Sequence, residues 1–404
     1  MLHDFWHNFT HNLFKPLLLF FYFGFLIPIL RVRFEFPQVI YQALTMYLLI
    51  AIGWRGGEQL AAIKPVNIGA IAGFMVLGFV LNFAIGVVTY VALSWLSAMR
   101  RVDRAMVAGY YGSDSAGTFA TCVAVLSSLG IAFNGYMPVM LALMEIPGCL
   151  VALYLTARLR NRGMDPAGNM PDEPGYTAPA TVSGEPGTAT RRVYGQNLAA
   201  PGEREIALEK EEYLEPPEPP PPVAGVNRRV SKTALLNEVL LNPGLCLLVG
   251  AIVIGFISGL QGQKVIHDDN AFFVSAFQGA LCLFLLEMGM AASRKLKDLR
   301  SAGPGFILFG LVAPNVFATL GIIAAHGYAF YTHTEFKQGT YALFAVLCAA
   351  ASYITVPAVQ RLAIPEASPT LPLAASLGLT FSYNVTIGIP LYIEMARVAS
   401  WWGL

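Results

Sequence analysis

Two short polar stretches interrupt apolar runs in opposite halves of the chain. Residues 112–118 read Gly-Ser-Asp-Ser-Ala-Gly-Thr, and residues 351–357 read Ala-Ser-Tyr-Ile-Thr-Val-Pro. An offset of 237 residues superposes Ser115 on Ser352, and the threonine three positions further on superposes as well. Duplicated, interrupted membrane helices indicate the binding site of a secondary transporter.

A helix break at membrane depth exposes backbone groups that cost several kcal/mol each in lipid unless a partner satisfies them. Each half-helix N-terminus carries roughly half a positive charge. Two such ends that converge can therefore bind an anion without Arg or Lys. Neither stretch contains a basic residue, which favours a small, weakly held anion over a phosphate or a nucleotide. Hydroxyls would complete the site, from Ser113, Ser115, Ser352 and Thr355.

Four acidic residues lie inside predicted spans, where charge is costly and is a functional candidate by default. Asp114 lies within the first break, and Glu145 precedes Ile146-Pro147. With Asn384, the hydroxyls and exposed carbonyls, these two can supply oxygen ligands to a coupling cation, either sodium or a proton. A purely structural role remains an alternative for all four, more so for Glu287 and Glu394.

The composition predicts an all-α integral membrane protein. Of the 404 residues, 55% are hydrophobic and only 13% are charged, which is more apolar than a soluble domain can bury. A spanning helix needs roughly 20 mostly apolar residues. This criterion predicts ten transmembrane helices, at 13–31, 36–54, 67–95, 105–129, 134–158, 241–261, 271–293, 303–330, 339–363 and 369–397.

Ten spans place both termini on one side of the membrane. The loops of the opposite side carry roughly twice as many Lys and Arg as those of the termini side, which indicates the cytoplasm. We therefore expect both termini outside and the central polar segment inside. We interpret span 13–31 as a retained helix, since no Lys or Arg precedes Lys15 and no convincing cleavage site follows.

The polar segment divides the chain into three parts. We predict a first five-span repeat at 1–161, a cytoplasmic and largely disordered linker at 162–234, and a second five-span repeat at 235–404. The linker is rich in Pro, Gly and charge through Gly202, which favours disorder. Residues 203–214 can form one or two helical turns before a proline run. This stretch is either a simple tether or a docking element for a regulator.

A second internal match supports duplication. Residues 41–44 with Gly53 align to residues 277–280 with Gly289 at an offset of 236, and both segments contain Gln. An odd number of spans per repeat gives the halves opposite orientations. The sequence thus predicts a 5+5 inverted repeat in which two spans, 105–129 and 339–363, are broken into half-helices.

Enzymes, metalloproteins and nucleic-acid-binding proteins are disfavoured. The chain has no transition-metal ligand cluster, no nucleophile elbow and no phosphate loop. All five cysteines lie in predicted spans and are interpreted as small core residues. We expect no cofactor beyond a coupling ion, and no nucleic-acid partner.

At these residues the chain resembles the sodium-dependent bicarbonate transporter family, known from cyanobacteria and widespread in other bacteria. The resemblance covers nearly the whole membrane part. It rests on the order and spacing of several motifs: Gly112-Ser113-Asp114-Ser115-Ala116 with Thr118, Gly135-Tyr136-Met137-Pro138, Leu143-Met144-Glu145-Ile146-Pro147, Gly289-Met290, Ser352 through Ala358, and Asn384 through Pro390.

The resemblance implies sodium-driven import of bicarbonate by an elevator-like movement. It implies a scaffold part formed by spans 1, 2, 6 and 7, a core part that carries both breaks, and a homotrimer in the bacterial inner membrane. A trimeric PII-like protein can inhibit family members from the cytoplasm. By this resemblance and the chemistry above, we predict substrate-binding residues Gly112, Ser113, Ser115, Thr118, Ser352, Tyr353 and Thr355, and cation-binding residues Asp114, Glu145 and Asn384.

The second break departs from the cyanobacterial pattern. Tyr353 stands where those transporters have an Asp, and Val356 stands where they have a Gly of a Gly-Pro pair. One acidic group and some backbone access are therefore missing, and the chain resembles the broader bacterial branch. Tyr353 either narrows the site or donates its hydroxyl to an anion.

Three functions follow from these observations. The first is sodium-coupled bicarbonate symport. The second is symport or exchange of another small anion, with proton coupling as an option. The third is a membrane sensor or scaffold that signals through the linker and transports little.

Overall fold

Apolar runs fold into helices that begin or end at Pro, Gly or charged residues. A computed structural model describes residues 15–62, 68–177, 243–261, 271–296, 298–301, 303–354, 356–357, 360 and 363–401. Within those ranges all regular secondary structure is helical. The α-helices are α1 Pro16–Ile29, α2 Gln38–Ala61, α3 Ile68–Leu96, α4 Arg101–Tyr111, α5 Ala116–Ser128, α6 Met137–Met144, α7 Ile146–Asn161, α8 Pro243–Gln261, α9 Phe277–Lys295, α10 Pro304–Thr332, α11 Gln338–Ala349, α12 Thr370–Leu373 and α13 Ile389–Trp401.

Five helical stretches of the described chain are long and apolar enough to cross a membrane by length and composition. They are α2, α3, α6 with α7, α8 and α10, while α1 and α11 are shorter apolar helices. Large apolar side chains on these helices face outward, such as Val76 on α3 and Ile323 on α10. Exposed apolar surface of this extent requires lipid as its solvent. The chain is a multi-pass, all-helical membrane protein.

Two parallel pairs, α1 with α9 and α2 with α8, form the most extensive helix contacts. Both pairs pack through glycine. A side chain at Gly24 or Gly57 would overlap the facing backbone carbonyl of Leu286 or Ile252. Small residues allow this close approach, which drives helix association where lipid removes the hydrophobic effect. We call α1, α2, α8 and α9 the scaffold helices.

The other long helices pack in two groups. In one group α4 lies against α3 and α7, and in the other α11 lies against α10 and α13. Helix α3 also contacts α10, which joins the groups. We call α3 to α7, α10, α11 and α13 the core helices.

The predicted span 369–397 is helical but irregular. Between α12 and α13 the chain forms two π-helical segments, Ala374–Phe381 and Asn384–Gly388. Pro390 cannot donate the regular hydrogen bond to the carbonyl four residues earlier, and π-helical segments accommodate such defects, often at functional sites. The first π segment packs against scaffold helix α9.

Part of the predicted linker has an ordered conformation, which differs from the disorder expected over 162–202. In residues 162–177, the Asp165 carboxylate accepts the backbone N–H groups of Asn169 and Thr177, at 2.7 and 2.9 Å. The Glu173 carboxylate accepts the N–H of Arg101 at the start of α4. The segment has too few apolar residues to form a core of its own, and these side-chain hydrogen bonds hold its conformation instead. The linker beyond residue 177, including 203–214, lies outside the described residues.

Candidate functional site

The first break separates α4 from α5 at residues 112–115. Ser115 is the N-cap of α5, with extended backbone angles, and its Oγ accepts the N–H of Thr118 at 3.3 Å. The Thr118 hydroxyl also donates to Ser115 Oγ, at 3.0 Å. Serine is favoured at an N-cap because its oxygen satisfies an orphan helix N–H. The Ser-x-x-Thr pair therefore fixes the α5 N-terminus at the centre of the protein.

The second break begins where α11 ends at Ala349 and Ala350 becomes extended. The N–H of Ser352 donates to the carbonyl of Tyr110 in the last turn of α4, at 2.8 Å. That carbonyl lies in the last turn of α4, where helix carbonyls need hydrogen-bond donors from outside the helix. A backbone hydrogen bond thus joins the two breaks, although its donor and acceptor are 242 residues apart in the sequence.

A side-chain hydrogen bond joins each break to a later helix of the same half. Ser113 Oγ donates to the carbonyl of Glu145, between α6 and α7, at 2.6 Å. Asn384 Nδ2 donates to the carbonyl of Ala349, the last residue of α11, at 2.9 Å. Asn384 Oδ1 accepts the hydroxyl of Tyr392 at 2.9 Å. Each break is therefore tied to the last span of its own half.

Asp114 is fully buried, and neither of its carboxylate oxygens has a hydrogen-bond partner among the described residues. Its charge interacts with that of Glu145, which is also buried. Two neighbouring carboxylates repel each other, and a buried carboxylate requires a cation or a proton. Within the described residues there is no group of three or more His, Cys, Asp and Glu that could hold a metal ion. Carboxylate, carbonyl and hydroxyl oxygens suit a hard cation instead.

Residues 16–397 match the model of the Na+-dependent bicarbonate transporter superfamily. The match covers both breaks, all scaffold helices and the first nine of the thirteen residues of the last helix. The chain belongs to this superfamily. A comparison with curated proteins finds no match. Superfamily membership indicates a transporter in a membrane rather than an enzyme.

Tyr353 marks the departure of this superfamily member from the cyanobacterial pattern. Its hydroxyl is buried beside the N-terminus of α5, where a Cβ on Gly117 would overlap it. Its ring packs edge-on against Phe381 of the first π segment, with centroids 5.2 Å apart. Tyr353 thus occupies space beside the break.

Most of the predicted site residues come together in the structure of this superfamily member. Gly112 lies in close packing, since a Cβ on it would stand 3.0 Å from the Cα of Gly86 and 3.1 Å from that of Gly148. Ser352 is buried, and its Oγ accepts the N–H of Val356 at 3.4 Å. Thr355 lies outside the described residues.

Two contributors to the site are absent from the sequence prediction. The Tyr110 carbonyl is the acceptor that joins the breaks, and only its position just before Gly112 hints at this role. The other is scaffold residue Phe284, whose ring would lie 3.0 Å from a Cβ on Gly117. The same ring stacks on Tyr41, with ring centroids 5.9 Å apart. A lone Phe in an apolar helix carries no signal of such a contact.

Proposed function

We propose that this protein is a sodium-coupled bicarbonate symporter that imports its substrate by elevator-like alternating access. The proposal rests on one observation above all: the N–H of Ser352 in one break donates to the carbonyl of Tyr110 at the other, and the first break also holds the buried carboxylate of Asp114, which has no hydrogen-bond partner within the described ranges. An anion site and a cation site then share one buried location. Such proximity lets the charge of each bound ion strengthen binding of the other.

The anion binds at the half-helix ends. Helix α5 points its N-terminus into the break, where its dipole contributes roughly half a positive charge. No Lys or Arg lies in residues 112–118 or 351–357. A singly charged, small anion such as bicarbonate matches this weak positive potential. The Tyr353 hydroxyl, beside the same helix end, is a donor of the right size for one of its oxygens.

Sodium binds as a second substrate at Asp114. Its charge neutralises the Asp114 carboxylate and reduces the repulsion from Glu145. Asn384 Oδ1 accepts one hydrogen bond from Tyr392 and keeps a second lone pair for a cation. Bound sodium also offsets the charge of the neighbouring anion, so each substrate strengthens binding of the other.

The helix packing supports the 5+5 inverted repeat of this proposal. Each half contributes two scaffold helices, and the first of each half packs on the second of the other. Gly53 and Gly289, 236 positions apart, both occupy these contacts: Cβ atoms there would meet the carbonyls of Leu248 and Phe21. Exchange of equivalent contacts is the expected result of a two-fold axis in the membrane plane.

The elevator movement slides the core helices along the scaffold helices. Small residues lie at this seam, where Gly117 of α5 faces Phe284 of α9 and Gly56 of α2 faces Pro138 of α6. The proposal includes a homotrimer in a bacterial inner membrane with both termini outside. It also includes a cytoplasmic linker that a PII-like protein can bind.

Uptake of labelled bicarbonate into proteoliposomes tests the proposal. Uptake should require an inward sodium gradient and should not respond to an inward potassium gradient of equal size. Ser352→Leu should abolish uptake, because a larger side chain fills the crossing of the breaks, while the protein elutes as wild type in size-exclusion chromatography. If uptake does not depend on sodium but follows a proton gradient, the coupling ion that binds at Asp114 is a proton and not sodium.

A further inference from the structure

A large cavity opens at the membrane face where α2, α5 and α10 end. Its volume is about 990 Å³. By the distribution of Lys and Arg this face is the outer one. We call this cavity the outer vestibule. Its lining includes Arg55 of α2 and Lys337 before α11, with Glu335 as the one acidic residue among its described lining residues.

The rim of the outer vestibule is built from two hydrogen-bonded loops. The N–H of Lys337 donates to Asn134 Oδ1 at 3.0 Å, and the N–H of Asn134 donates to the Thr340 hydroxyl at 2.8 Å. Gly339 N–H donates to the carbonyl of Ala132 at 3.0 Å. The loops thus hold the Lys337 backbone at the rim.

Arg55 is half-buried in the lining of the outer vestibule. It also lines a second, much smaller cavity of about 20 Å³ between scaffold helices and α5, which reaches Phe119. The N–H of Phe119 donates to the carbonyl of Ser115, the N-cap at the first break, at 2.9 Å. Arg55 therefore stands between the outer vestibule and the site where the breaks meet.

Close contacts narrow this route beside Arg55. A Cβ on Gly56 would stand 2.6 Å from Pro138 Cβ, and a Cβ on Gly135 would overlap the Gln59 side chain. Both contacts join scaffold helix α2 to the start of α6. They lie on the seam that must separate if core helices slide along the scaffold helices.

We propose that Arg55 is an outer recruitment ligand that binds a small planar oxyanion in the outer vestibule before the anion reaches the breaks. A guanidinium presents paired N–H donors that match two oxygens of one planar oxyanion. Half-burial strengthens this interaction relative to water. Glu58, whose charge interacts with Arg55, competes with the anion and keeps its binding reversible. The identity of the anion as bicarbonate, and its inward direction, rest on the proposed function.

The test compares Arg55→Gln, Arg55→Lys and Lys337→Gln in sodium-driven bicarbonate uptake by proteoliposomes. Loss of a charged hydrogen-bonding partner should raise KM about tenfold in Arg55→Gln, with kcat at saturating bicarbonate unchanged. Arg55→Lys keeps the positive charge but loses the paired N–H donors, and its KM should lie between those of the wild type and Arg55→Gln. Lys337→Gln, at the solvated rim, should raise KM less, and this effect should vanish at high salt.

Two results would overturn the role of Arg55. One is a wild-type KM in Arg55→Gln, and the other is a loss of kcat with unchanged KM, since that pattern belongs to a residue needed only for movement. Thermal unfolding in increasing bicarbonate gives a readout without transport. The half-maximal concentration should rise about tenfold in Arg55→Gln. If the wild type shows no sodium-driven uptake, the proposed function fails, and this thermal titration alone decides whether Arg55 binds the anion.

Discussion

Replacement of Asp114 by Asn tests whether the buried carboxylate exists to bind a cation. Asn keeps the shape of Asp and removes its charge. In the sodium-free wild type, a buried carboxylate whose oxygens have no hydrogen-bond partner among the residues that the structure describes carries a penalty of several kcal/mol. We therefore expect Asp114→Asn to be at least as stable as the sodium-free wild type, although it has lost the cation ligand.

The magnitude follows from linkage. A ligand that binds only the folded state at 100 times its Kd adds about 2.7 kcal/mol to the free energy of unfolding. Wild-type protein in sodium at that level should gain this amount. Asp114→Asn should gain close to nothing, because its amide oxygen carries no net charge to offset that of sodium.

The assay is thermal unfolding of purified protein in detergent, with sodium replaced stepwise by choline at constant ionic strength. The matched control is Glu394→Gln, which removes another buried carboxylate. Glu394 already has a cationic partner, since Arg397 lies 2.6 Å away. The control should unfold at a lower temperature but keep the full response to sodium.

Two observations would refute this reasoning. The first is a wild-type Tm that is the same in sodium and in choline. The second is a sodium response in Asp114→Asn equal to that of the wild type. Either one would mean that a proton, or a residue outside the described part of the chain, neutralises Asp114.

The site geometry gives three further predictions. Ser115→Ala removes the N-cap of α5 and should lower the free energy of unfolding by about 1 kcal/mol, measured by thermal or denaturant unfolding; an unchanged stability would contradict the cap. Gly117→Ala should lower the Tm because its Cβ overlaps the Tyr353 hydroxyl, and Gly117→Ala with Tyr353→Phe should restore much of that loss; no rescue of the Tm would place the clash elsewhere. Burial raises the pKa of Asp165, but hydrogen bonds from the N–H groups of Asn169 and others outweigh it and lower the pKa below its usual value. The stability that Asp165 gives its loop is therefore present above about pH 3.9 and lost as pH falls through the lowered pKa, which hydrogen exchange of residues 165–177 would detect and Asp165→Asn would abolish.

The helical membrane class was predictable from the sequence because apolar runs of spanning length have few other stable states. Five of the ten predicted spans correspond to helical stretches long and apolar enough to cross a membrane. The first break, at 112–115, was also predictable, since Gly112 and Ser115 carry strong local preferences for a helix end and an N-cap. The ordered loop at 162–177 was not, because hydrogen bonds from Asp165 and Glu173, and not apolar burial, hold it.

The candidate site was predictable as a set of residue types but not as an arrangement. Repeated Ser-x-x-Thr spacing indicated which hydroxyls lie at the breaks. It did not indicate that the Thr118 hydroxyl donates a hydrogen bond to Ser115 Oγ. Nor did it indicate that the Asn384 amide donates to the carbonyl of Ala349. Hydrogen-bond partners depend on relative helix positions, which no single-segment pattern encodes.

The sequence by itself determined the membrane class, the family and the two interruptions, because burial in lipid and local backbone preferences act on neighbouring residues. Only the tertiary structure decided that the N–H of Ser352 meets the carbonyl of Tyr110, that the Asp114 carboxylate has no hydrogen-bond partner in the described part of the chain, and that Arg55 lies between a vestibule and the breaks. These facts join residues that are far apart in the chain. They follow from close packing of glycine-lined helices, which sets distances to a few tenths of an ångström.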